Sequence, residues 1–198
     1  MSIYEAILPH RTAHSPFTHS SFAFFSKHQY NGRDKGGSNV SMFEIGEHIV
    51  YPMYGAGIIT EIVEKDFLGE MRTYYNVSLP YCRMEASVPV DNCEKLGVRP
   101  VIGPDRIDDV VQVLKGDAEP MNPNWNKRYR ENTERMQTGD ILEVAAVVRN
   151  LVRTDRAKPL STGEKKLLST AKQILESELI YAGGYTMEEA DELVELSI

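Results

Sequence analysis

Cysteine is nearly absent from this chain: Cys82 and Cys93 are the only two among 198 residues. Their spacing matches neither a zinc motif nor a redox pair. They read as reduced thiols in a reducing compartment, with a disulfide between neighbouring strands as the alternative. Long apolar runs are missing too, and nothing approaches the roughly 18 residues a membrane-spanning helix needs. The first residues lack the basic start, apolar run and small-residue cleavage site of a secretory signal, so a cytoplasmic protein is expected. There is no Gly-rich phosphate loop and no Gly-x-Ser-x-Gly elbow. Of the five histidines only His48 lies beyond residue 41, in a strand-like Glu47-His48-Ile49 with no nucleophile beside it, and reads as an exposed strand residue. Asp108 and Asp109 fall on the polar side of a helix, which suits a solvated face better than acid–base work. These absences point away from an enzyme, and no cofactor or metal is expected.

What is present is an ordinary globular composition, 41% hydrophobic and 26% charged. Residues 1–41 differ from the rest. They are Ser-rich, carry His10, His14, His19 and His28, show a short aromatic cluster at Phe22, Phe24 and Phe25, and end in a Gly-rich stretch. They read as a flexible or weakly ordered extension, and Met42 reads as a natural start. Residues 42–103 then carry short β-branched and aromatic runs between Gly/Pro turns. Strands are expected around 45–51, 57–64, 71–79, 86–90 and 98–102, the fourth at an edge because of Pro89. Such spacing predicts a small open β-barrel of SH3 or Tudor type.

From residue 104 the pattern becomes helical, so the fold class is α+β: an N-terminal Tudor/SH3-like barrel followed by an all-α C-terminal domain over 104–198. Ile107, Val110, Val111 and Leu114 define one buried helix face. Residues 116–124 read as a linker. Helices are expected over about 124–137 and from 140 to about 154. A capping box at Ser161/Glu164 opens a long helix to about 182, stopped by Gly183-Gly184, and Thr186/Glu189 opens a short last one.

The segment Pro123-Asn124-Trp125-Asn126-Lys127-Arg128-Tyr129-Arg130 holds the only tryptophan. Pro123 suits the first helical position, with Asn122 as cap, which puts Trp125 on a first turn. Two readings stand for it: a core residue of the helical domain, or an exposed wedge flanked by cations. Net charge is −7, yet residues 125–172 hold eleven Lys/Arg against six acids, while residues 173–198 hold seven acids and no base. If the helix ends converge, the cations form a phosphate-binding surface; the plain alternative is a solvated helical face.

The blocks Phe43-x-x-Gly46-Glu47-x-Ile49-Val50-Tyr51-Pro52-x-x-Gly55, Pro123-Asn124-Trp125-x-x-Arg128-Tyr129, Leu160-Ser161-x-Gly163-Glu164-Lys165 and Ala171-x-Gln173-Ile174-Leu175, in this order, resemble the CarD/CdnL family of bacterial transcription regulators. The resemblance covers nearly all of residues 42–182. It implies a Tudor-like domain that binds the β subunit of RNA polymerase at its lobe. It also implies a helical domain that wedges a tryptophan, here Trp125, into the minor groove at the upstream edge of the bubble, so steadying the open complex. The DNA-binding set it suggests is Trp125, Lys127, Arg128, Arg130, Arg153 and Lys165; the polymerase-binding set is Lys65, Arg72, Arg83, Ser87 and Val88. Ser87 departs from the family, which has an arginine there, and Arg83 is the nearby substitute. DNA contact is expected to be largely sequence-independent, and the protein a monomer associated with the nucleoid through polymerase. The alternative is an adaptor that binds polymerase without acting on DNA.

Overall fold

The computed structural model describes residues 42–198; the expectations for residues 1–41 fall outside that range. Five strands form one antiparallel sheet: β1 His48–Tyr51, β2 Gly55–Phe67, β3 Glu70–Leu79, β4 Met84–Pro89 and β5 Arg99–Pro100. Their order is β4-β3-β2-β1-β5, so β4 and β5 are edges and the sheet is not closed. Pro89 lies at the end of an edge strand, a place where a residue without an N–H is tolerated. Alternation puts Tyr75, Val77 and Leu79 of β3 and Val88 of β4 into the sheet's core with Ile49 and Ile59. Residues Glu61, Lys65, Tyr74, Asn76 and Ser87 take the opposite face.

The β2–β3 pair runs on past its neighbours as a two-stranded ribbon, in register to Phe67↔Glu70. It closes through Leu68 and Gly69, both at positive φ (57° and 84°), while the Gly69 N–H donates to Asp66 Oδ1 at 3.0 Å. Glycine adopts that conformation without strain; leucine does so at some cost. The ribbon leaves Phe67, Leu68 and Met71 exposed.

Five α-helices follow: α1 Ile107–Lys115, α2 Trp125–Gln137, α3 Ile141–Ala157, α4 Thr162–Gly183 and α5 Met187–Ser197. α1 buries Ile107, Val110, Val111 and Leu114, as its periodicity requires. α3 is the centre of the bundle, buried without break from Val144 to Val152. Both capping boxes form, at Ser161/Glu164 and at Thr186/Glu189. The start of α2 differs from expectation. Asn124 is the cap, its Oδ1 accepting from the Lys127 N–H at 3.1 Å, and Trp125 is the first helical residue. Asn122 instead accepts from the Asn124 N–H. The segment before α2 is pinned as well: Glu119 accepts from Arg135 at 2.7 Å and Arg149 at 3.0 Å, and its N–H donates to Asn150.

Sheet and helices pack as one compact unit. The face of α4 that carries Ile174, Ser177, Glu178 and Tyr181 lies on the sheet, with spacings of three and four residues that share one helical side. There the Ala56 N–H donates to Ser177 Oγ at 2.9 Å, and the Tyr181 ring stacks on His48 at 4.3 Å.

Candidate functional site

The first residue of a helix has no preceding turn to cover it, so an indole there is buried only if another element comes to it. α4 comes with its N-terminus. The Trp125 Nε1–H donates to Ser161 Oγ at 2.8 Å, the same hydroxyl that caps α4. One ring face stacks on Tyr129 with centroids 5.5 Å apart. Gly163 forms the floor: a Cβ there would come within 3.2 Å of Trp125 Cζ2. Even so, Trp125 is 42% exposed. The core reading of this residue is therefore set aside; the ring is fixed in orientation and open on its outer side.

Beneath it a relay ties the two helix starts together. Ser161 Oγ–H donates to Glu164 Oε2 at 2.7 Å, and Glu164 Oε1 accepts from Arg128 Nε at 2.7 Å. Arg128 Nη1–H donates to the Asn122 carbonyl at 2.9 Å. Glu164 is only 3% exposed. Burial pushes its carboxyl up, but the Arg128 guanidinium, the Ser161 hydroxyl and the Ser161 N–H together hold it below the usual carboxylate value. Two helix N-termini thus meet at the indole, where backbone dipoles favour an anion.

The cations divide into free and committed. Lys127, Arg130, Arg156, Lys158, Lys165 and Lys166 are exposed. Arg130 and Arg156 make only surface pairs, with Glu134 at 3.4 Å and with Glu195 at 3.9 Å. Arg128 is spent on the relay. Arg149 is buried, donating to the Val113 carbonyl, Glu119 and Asn150. Arg153 donates to the Lys115 carbonyl at the end of α1. The surplus of positive charge counted along the sequence is therefore partly internal structure. Lys127 and Arg130 on α2, with Lys165 and Lys166 near the start of α4, are the exposed cations on the helices that hold the ring.

On the sheet, Lys65 and Arg72 are cross-strand partners on the outward face. Lys65 Nζ donates to Ser87 Oγ at 2.9 Å and sits 5.5 Å from the Tyr74 ring centroid. Ser87 Oγ–H donates to Asn76, whose amide donates to Glu61. Arg72 covers the Phe67 ring and pairs with Glu70. Lys65, Arg72 and Ser87 therefore share one surface. Arg83 is exposed at the other end of the β3–β4 connection, with a left-handed φ of 52°. Val88 is 2% exposed and belongs to the core, leaving only its edge-strand backbone for a partner.

Reasoning from sequence missed Ser161 and Gly163 as the seat of the indole, although their capping motif was visible. It also missed a shallow cleft between α4 and α5, lined by Lys165, Ser169, Lys172, Glu176 and Asp191 among others. Burial pushes the Glu176 carboxyl up to about 7, with Asp191 and Glu195 adding to the shift and Lys172 opposing it. Among the described residues no cluster of His, Cys, Asp and Glu is arranged to hold a metal ion. None of their helices is long and apolar enough to cross a membrane.

An open antiparallel Tudor-like sheet, joined to a helical bundle that displays one fixed aromatic among cations, defines a protein of the α+β class. Residues 43–102 match the family model described as "CarD-like/TRCF RID domain", and residues 109–195 match "CarD, C-terminal domain". The chain is also 39% identical over 146 residues, 73% of its own length and 95% of the relative's, to a protein of Bacillus subtilis (strain 168) named "Putative transcription factor YdeB". The chain belongs to the CarD-like family of transcription factors, which is not a known class of enzymes.

Proposed function

We propose that this protein binds the β-subunit lobe of RNA polymerase through the outward face and edge of its sheet, and holds the promoter open by setting Trp125 into the minor groove at the upstream edge of the bubble. The observation that carries this reading is the indole itself: exposed, fixed in direction and seated where two helix N-termini meet.

An acidic protein with net charge −7 needs help to meet DNA. A polymerase anchor supplies it by raising the local concentration of the helical part without any new DNA contact. Lys127, Arg130 and Lys165 then position the ring against phosphates, and groove shape rather than base identity decides where it fits. A ring that wedges best into a distorted step favours the opened state by differential binding. On the sheet, the cation that the family resemblance leads one to expect at Ser87 is supplied by the Lys65 ammonium hydrogen-bonded to it.

Trp125→Ala tests this. The exposed ring gives up one hydrogen bond and one stacking contact, a loss of about 1–2 kcal/mol that a folded domain tolerates. β-lobe binding should persist, while open-complex lifetime falls about tenfold for each 1.4 kcal/mol of lost preference. A lifetime unchanged by Trp125→Ala would leave an adaptor that binds polymerase without acting on DNA.

A further inference from the structure

α4 carries both ends of the device. Its cap, Ser161, holds the indole, and its later turns are bolted to the sheet. The bolt is Glu178, 1% exposed, which accepts from Arg99 Nη1 at 2.5 Å and Nη2 at 2.8 Å, a two-pronged pair. The same carboxylate accepts from the Ile102 N–H at 3.1 Å, in the connection that leads out of the sheet. Arg99 Nε–H donates to the Gly139 carbonyl, in the turn between α2 and α3, at 2.8 Å. One arginine on the edge strand β5 therefore grips α4 and the turn after the Trp125-bearing helix together.

The geometry explains why such a grip matters. From Ser161 to Glu178 is 17 residues of one helix, about 25 Å at 1.5 Å per residue. A swivel of about 10° between sheet and α4 would displace the indole by roughly 4 Å, comparable with the ~6 Å width of the minor groove. We infer that Arg99 and Glu178 are a positioning pair, which fixes the direction in which the sheet presents Trp125 to DNA. The inference rests on the anchored-wedge reading above. A buried two-pronged ion pair suits this role because it resists rotation; its net gift to stability is small, since desolvation offsets most of the attraction.

Two variants test it. Glu178→Gln keeps the shape and leaves Arg99, itself partly exposed, free to reach water. Arg99→Lys keeps the charge and replaces the fork by a single point. The distance between sheet and wedge is read by time-resolved energy transfer from Trp125, the only tryptophan, to a dye on Glu94→Cys in a Cys82→Ser background. Both variants should stay folded and bind the β lobe within about twofold of the parent, yet broaden that distance distribution. The Trp125-dependent gain in open-complex lifetime should fall at least threefold, and saturating protein should not restore it, which separates misdirection from a loss of folded molecules. A distribution that stays narrow in both variants overturns the proposal, as does a broadened one with unchanged lifetime. Should one variant fail to fold, the other decides by the same readings. If Trp125→Ala itself leaves lifetime unchanged, the anchored-wedge reading has failed, and the distance distribution alone judges the staple.

Discussion

Removing one oxygen, in Ser161→Ala, separates the seat of the indole from the indole. The hydroxyl has three bonds: it accepts from Trp125 Nε1–H at 2.8 Å and from the Glu164 N–H at 3.3 Å, and donates to Glu164 at 2.7 Å. Losing the cap costs about 1 kcal/mol. The freed indole N–H is near solvent and finds water, so its loss adds only about 0.5–1 kcal/mol. Glu164 keeps Arg128 and the Ser161 N–H, so no buried charge is stranded. For a chain of this size the melting temperature should drop by roughly 3–8 °C, leaving the protein folded at assay temperature. The functional loss comes from a ring that must now be ordered on binding, worth about two- to tenfold in open-complex lifetime. The emission of the single tryptophan reports the same event directly and should shift toward that of a hydrated indole. The decisive comparison is the double variant. With Trp125→Ala already present, Ser161→Ala should shorten lifetime no further, because the two changes act through one contact. An equal shortening in both backgrounds would refute the idea that Ser161 works through the ring.

Two further expectations follow from burial and charge. Glu176 has a carboxyl raised to about 7 by burial, facing Lys172, Asp191 and Glu195. A raised folded-state value means its protonated form is the stabilising one. Stability should therefore decline as pH climbs from about 4.5 through 7, by roughly 2–4 kcal/mol in all, and Glu176→Gln should flatten that slope in denaturant titrations; an unchanged slope would locate the titration elsewhere. The basic residues beside the tryptophan should part company. Arg128→Ala breaks a pair with nearly buried Glu164 and should cost about 3 kcal/mol of stability. Arg130→Ala should leave stability within about 0.5 kcal/mol and lower the salt dependence of promoter binding by about one counterion. The reverse pattern would reassign both residues.

Much of this molecule was legible along the chain. The Ser161/Glu164 and Thr186/Glu189 boxes, the buried stripe of α1 and the edge position of Pro89 all follow from interactions spanning a few residues, where side-chain chemistry and backbone geometry leave little choice. The cap of α2 was misplaced by two residues, since Asn122 and Asn124 are chemically equivalent candidates and only the hydrogen bond to Lys127 separates them.

What the order of residues by itself determined is therefore local: which segments are strands or helices, where they stop, and that one tryptophan opens a helix among cations. The tertiary structure decided which of those groups remain available. Trp125 and Arg128 each find their partner 36 residues away, in Ser161 and Glu164. Arg99 finds Glu178 at a separation of 79 residues. Val88 went to the core because the pleat of an edge strand turned it inward. Charge and exposure are properties of a surface, and a surface exists only once distant segments have chosen which of their faces to bury.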